Sequence, residues 1–91
     1  MIYLDLEIPP YVAEILRKLP PDLKKSVKEA LRALVKDSSL GEPLRGDLIG
    51  LWKYRVRRYR IIYFPDPKSR TLKIFAFGHR KEIYDQIKPI P

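Results

Sequence analysis

The sequence predicts an α+β fold, one antiparallel-rich sheet in the chain order β-α-α-β-β-β-(α) with a helical hairpin packed on one face. Three observations carry it. Apolar residues recur at helical spacing in two segments, each introduced by a Pro-Pro pair, and three later segments alternate or run apolar with the period of a strand. The chain has 91 residues, enough for one modest core, so residues 1–91 read as a single domain. Covering one face of a sheet with a pair of helices is the simplest way to bury both kinds of apolar surface.

Residues 2–8 alternate Ile-Tyr-Leu-Asp-Leu-Glu-Ile, which gives Ile2, Leu4, Leu6 and Ile8 one face of a short strand that Pro9-Pro10 ends. Val12, Ile15, Leu16 and Leu19 then predict a first helix of about ten residues, stopped by Pro20-Pro21. Pro21 suits a first helical position and Asp22 a first turn, and Leu23, Val27, Ala30, Leu31 and Leu34 form the apolar stripe of a second helix ending near Asp37. Residues 38–50 hold three glycines and a proline and read as a loop. Residues 51–56, 59–64 and 72–77 read as a meander of three strands, with residues 65–70 as the second turn. The first turn, Arg57-Arg58, lacks the Asn-Gly chemistry of tight hairpins and predicts strain, an unusual turn or a functional demand. Gly78 closes the last strand, and residues 79–87 read as a short helix before Pro89.

Charge is distributed unevenly along this chain. Residues 1–44 carry 7 basic and 7 acidic side chains, residues 45–81 carry 11 and 2, and residues 82–91 carry 1 and 2, so the net +8 belongs to the middle block. Five cations fall between Lys53 and Arg60 with no carboxylate among them, interleaved with Trp52, Tyr54, Val56 and Tyr59. Strand periodicity places Lys53 and Arg55 on one face, and a basic face interleaved with aromatics is the footprint of a nucleic-acid backbone. A solvated charged face is the plain alternative.

Other chemistry is thinly represented. There is no cysteine and a single histidine, His79, so thiolate and histidine-cluster metal sites are unsupported. No Gly-x-Gly-x-x-Gly or P-loop pattern occurs, and no cofactor is indicated. The first ten residues carry Asp5 and Glu7 and neither a basic leader nor an apolar run, and no stretch approaches a membrane span, which predicts a cytoplasmic protein. Arginine, lysine and tyrosine remain. Such a set cleaves RNA more readily than DNA, because RNA supplies its own nucleophile in the 2′-hydroxyl. Guanidinium groups then have only to stabilise the phosphorane, without a metal. On a helical turn Arg80 and Tyr84 would share a face and join this site, or else Tyr84 caps the core and Arg80 pairs with Glu82 or Asp85.

Leu-Arg-Gly at residues 44–46, Leu-Trp-Lys-Tyr-Arg-Val at 51–56, Tyr-Arg-Ile-Ile-Tyr at 59–63 and Phe-Gly-His-Arg-Lys-Glu-Ile-Tyr at 77–84 together resemble the RelE/ParE superfamily of toxins from toxin–antitoxin systems. The likeness is to the RelE branch of ribosome-dependent endoribonucleases. It implies a RelE-like fold, metal-independent cleavage of messenger RNA in the ribosomal A site by 2′-hydroxyl attack on the adjacent phosphate, and silencing by an antitoxin expected to be acidic and encoded next door. By motif position it implies catalytic roles for Lys53, Arg55, Arg60, Arg80 and Tyr84. Lys53, Arg55 and Arg60 would activate the hydroxyl and stabilise the phosphorane, Arg80 would protonate the leaving oxygen, and Tyr84 would orient or stack on a base. Arg45, Arg57, Arg58, His79 and Lys81 are the expected RNA-binding residues. Two departures stand out. Arg55 replaces a lysine, and a guanidinium is a poor base, which leaves proton abstraction to Lys53, Tyr84 or the substrate. Arg58 stands where many relatives have glycine. A non-catalytic gyrase inhibitor of the ParE branch and a plain nucleic-acid-binding module are the competing functions.

Overall fold

Strand order in space decides where the charged residues lie. The computed structural model describes residues 3–83. Along the chain come β1 (Asp5–Glu7), α1 (Pro10–Arg17), α2 (Pro21–Lys36), β2 (Glu42–Pro43), β3 (Trp52–Val56), β4 (Tyr59–Asp66) and β5 (Thr71–His79), with 3-10 turns at Ser38–Leu40 and Gly46–Leu48. The five strands form one mixed sheet in the order β1-β5-β4-β3-β2, in which β1 runs parallel to β5 and every other pair is antiparallel. The α+β class and the meander are as the sequence predicts.

Both helices begin on a proline, whose missing N–H costs nothing in a first turn, and α2 carries Asp22 near its start and Lys36 near its end in accord with the helix dipole. The predicted stripe of α2 is the buried one: Leu23, Val27, Ala30, Leu31 and Leu34. It packs against Val56, Ile61, Tyr63, Leu72, Ile74 and Phe77, so the helices cover one face of the sheet. Ile62 points the other way, as strand alternation requires, and joins Ala76 and Ile83 in a second, smaller cluster against Leu44, Leu48 and Leu51. The sheet is therefore covered on both faces at its centre. The loop after β2 achieves this by closing on itself, Leu44 N–H donating to the Leu51 carbonyl at 2.8 Å.

Four expectations are corrected. β1 covers residues 5–7 only, and Leu4 and Leu6 are 68% and 38% exposed whereas Tyr3 is buried, so the core side of this segment is not the predicted one. β2 lies in what reads as loop. β4 retains Pro65 and Asp66, opposite Leu72 and Thr71, so the second turn starts later than predicted. β5 continues through Gly78 to His79, which pairs with Tyr59, so strand occupies the predicted helix start. Residues 84–91, with the rest of that helix, lie outside the described residues.

Candidate active site

The β3–β4 hairpin sets the site by its register. A two-residue turn, Arg57-Arg58, places Val56 opposite Tyr59, Arg55 opposite Arg60 and Lys53 opposite Ile62. Val56, Tyr54 and Trp52 pack toward the helices, so Lys53, Arg55 and Arg60 project from the other face. Two arginines directly across a ladder repel each other. The turn adds strain of its own, since Arg57 adopts φ 56°, the left-handed region that a side chain disfavours. Arg55 Nε donates to the Arg57 carbonyl at 3.0 Å and so holds the guanidinium against the turn.

Lys53, Arg55 and Arg60 line one cleft of about 370 Å³ together with Leu40, Gly41 and Glu42. Arg60 Nε is buried and has no hydrogen-bond partner, the only such side-chain atom among the described residues. A buried guanidinium nitrogen without an acceptor is costly, and its natural complement is an anion entering the cleft. The one carboxylate present is Glu42, whose Oε2 lies 3.7 Å from Lys53 Nζ. One carboxylate faces three cations, which leaves the cleft positive. Among the described residues no three His, Cys, Asp or Glu side chains gather as a metal site.

Glu42 owes its place to a phenol on the far side of the strand. Tyr63 is fully buried, and its hydroxyl donates to the Ser38 carbonyl at 2.6 Å while accepting from Gly41 N–H at 3.2 Å. This clamp draws residues 38–41 against the sheet and sets Glu42 opposite Lys53 in β2. Burial pushes the Tyr63 phenol up to about 12. Gly41 fits because it has no side chain: a Cβ there would collide with the Lys53 carbonyl and the Tyr63 hydroxyl. Upstream, the Ser39 hydroxyl donates to Asp37 at 2.6 Å, holds that carboxylate below its usual range and starts the 3-10 turn.

The predicted site residues divide accordingly. Lys53, Arg55 and Arg60 come together. Arg80 does not line the cleft; it is exposed, and its backbone N–H donates to the Arg58 carbonyl at 2.9 Å, which ties it to the hairpin turn. Arg57, Arg58 and Lys81 are exposed at this same end, and Arg45 is exposed on the loop that follows β2. His79 is held structurally, edge-on to Tyr59 at 5.7 Å, with its Nδ1 accepting the Lys81 N–H at 3.3 Å. Tyr84 lies outside the described residues. Sequence reasoning missed Glu42, Tyr63 and Gly41. Only the Gly-Glu-Pro run hinted at a constrained backbone there, and nothing in it revealed a carboxylate facing Lys53.

A small basic α+β protein with a cationic cleft across a β-hairpin belongs to a known class of polyanion-directed proteins, and comparison with known proteins narrows it. Residues 6–88 match the family of ParE-like toxins of type II bacterial toxin–antitoxin systems, and the chain belongs to that family. It is 37% identical over 71 residues to toxin RelG of Mycobacterium tuberculosis, covering 76% of this chain and 82% of the relative. The RelBE2 toxin–antitoxin complex of the same organism holds a chain with TM-score 0.76 and 30% identity, covering 88% of this chain and 94% of that one. The archaeal RelE–RelB complex of Pyrococcus horikoshii holds another with TM-score 0.70 and 25% identity, covering 88% and 97%. The protein is a toxin of the RelE/ParE type.

Proposed function

We propose that this toxin is a ribosome-dependent endoribonuclease that cleaves messenger RNA in the A site without a metal, and that a cognate antitoxin silences it. The observation that carries the reading is the Arg55–Arg60 pair, two guanidinium groups facing each other across the ladder with the Arg60 Nε unpartnered. A DNA-gyrase inhibitor or a passive binding module has no need of an unsatisfied buried donor inside a cleft, whereas a pentacoordinate phosphorane brings two extra half-charges to such a donor.

In this mechanism the 2′-oxygen attacks the adjacent phosphorus, the bond from phosphorus to the 5′-oxygen breaks, and a 2′,3′-cyclic phosphate forms. Arg55 and Arg60 hold the non-bridging oxygens. The 2′-hydroxyl proton goes to the Glu42 carboxylate, the one group in the cleft that a guanidinium cannot replace as acceptor. This answers the loss of a lysine at position 55. Lys53, beside Glu42, gives a proton to the departing 5′-oxygen, and Arg80 with Arg57, Arg58 and Lys81 holds flanking phosphates at the hairpin tip. Tyr84 keeps its proposed part in orienting the base, and Arg45 and His79 theirs in RNA binding. The ribosome and transcript as partners place the toxin in the cytoplasm, and among the described residues no helix is long and apolar enough to cross a membrane. The known complexes of RelE with RelB support an antitoxin here too.

The test is primer extension on ribosomes programmed with message, with end-group analysis of the product. Wild-type protein is expected to leave a 2′,3′-cyclic phosphate, and Glu42→Gln to slow cleavage by about 10²-fold or more with little change in ribosome binding. Intact message alongside stalled gyrase would reject the nuclease in favour of the ParE-like activity.

A further inference from the structure

At the edge of the sheet opposite the cleft, β1 and the two helices leave an apolar trough unfilled. Two adjoining cavities of about 310 and 460 Å³ share Ile8, Lys28 and Leu31 and run along α2 from Lys24 to Lys36. Their floor is aliphatic, formed by Leu6, Ile8, Leu16, Leu31 and Val35. The rim is cationic. Lys28, Arg32 and Lys36 repeat every four residues on one line of α2 and make no ion pair among the described residues, and no carboxylate lines either cavity. This charge is invisible in the chain totals, because residues 1–44 balance at 7 basic and 7 acidic.

We propose that this trough is a docking site for an acidic amphipathic helix of a protein partner, and that it anchors the partner without covering the cleft. The inference rests on the antitoxin part of the proposed function and not on RNA cleavage. Twelve residues of α2 at 1.5 Å each make a trough about 18 Å long, the length of a three-turn helix. Such a helix would lay Leu or Ile at i, i+3, i+4 and i+7 on the aliphatic floor and set Glu or Asp against Lys28, Arg32 and Lys36. RNA fits poorly, since the floor has no donor for a phosphate. A second copy of this chain fits poorly too, since it carries a net charge of +8. The trough borders β1 and the cleft borders β2, the two outer strands of the sheet, and they share no lining residue. Capture of the toxin and neutralisation of its cleft are then separate tasks, performed by separate segments of the partner.

The test uses the full chain and a designed fourteen-residue helical peptide with Leu on one face and Glu on its flanks, with Lys-for-Glu and scrambled peptides as controls. Titration by fluorescence anisotropy is expected to show binding of the Glu peptide only. Lys28→Glu with Arg32→Glu should weaken it at least tenfold, and both sites are exposed, so an unchanged melting temperature will confirm folding. Arg60→Ala should leave peptide affinity unchanged, and peptide-saturated toxin should still cut message on ribosomes. If the nuclease reading fails, the peptide should still bind. Equal binding of the Glu and Lys peptides, loss of binding in Arg60→Ala but not in the charge-reversed pair, or a self-dimer dissolved by that pair would overturn the proposal.

Discussion

The two faces of the central sheet are built on opposite terms. Toward the helices, Ile61, Tyr63, Leu72 and Phe77 are all but fully buried against Leu34 and Val27, and the one polar atom among them, the Tyr63 hydroxyl, both donates and accepts. Toward the cleft, the same β3–β4 ladder sets arginine against arginine, leaves a guanidinium nitrogen unpartnered and enters through a turn with a residue at φ 56°. Adjacent residues of one strand thus serve different ends. Those facing the helices satisfy every group they bury, while those facing the cleft hold like charges together, and that arrangement is stable only while the first face supplies the surplus. Unsatisfied donors concentrated on one side of a well-packed sheet mark where a ligand completes the structure.

Substitutions on the two faces should therefore separate folding from activity. Leu34 is fully buried under the sheet, and Leu34→Ala is expected to cost about 2–5 kcal/mol in chemical denaturation while the activity per folded molecule stays unchanged. Tyr63 links the faces. Tyr63→Phe leaves the Gly41 N–H and Ser38 carbonyl without their partner, and should cost about 1–3 kcal/mol and also reduce activity, because the strand that carries Glu42 loses its clamp. Its titration has a definite sign. The phenol is raised from 10.0 to about 12 in the folded state, so the stability it contributes is complete below pH 10 and is lost as pH rises toward 12. Urea midpoints measured across that window should fall in wild type and fall less in Tyr63→Phe.

The smallest effect lies in the turn. Arg57→Gly removes the left-handed strain and should stabilise by up to about 1 kcal/mol. It should also lower the salt slope of RNA binding by about one unit if Arg57 holds a phosphate. Stabilisation with an unchanged slope would return Arg57 to a purely structural part.

How legible this was in the sequence follows from what carries a periodic signal. The α2 stripe and the β3–β4 pairing are written locally: once Arg57-Arg58 is a two-residue turn, Arg55 must meet Arg60. The absence of Asn-Gly there also foretold the strain. β1 escaped because its partner is β5, far along the chain and parallel, and nothing within residues 5–7 records that choice. β2 escaped because two residues have no period. Its position depends on the Tyr63 hydroxyl and on a Gly41 that no side chain would fit, and with it Glu42 escaped as well. The trough along α2 was hidden for a different reason, since a helix gathers on one line cations that the chain intersperses with carboxylates.

The central claim is that Arg60 serves the reacting phosphate and not the fold. Its most direct measurement is single-turnover cleavage of ribosome-bound message by Arg60→Ala, taken beside its dissociation constant for the ribosome and its melting temperature. The account predicts a rate lower by about 10²–10³-fold, with affinity changed only slightly and stability equal or higher, because the repulsion with Arg55 is relieved. A variant that unfolds, or one that cuts at the wild-type rate, would contradict it.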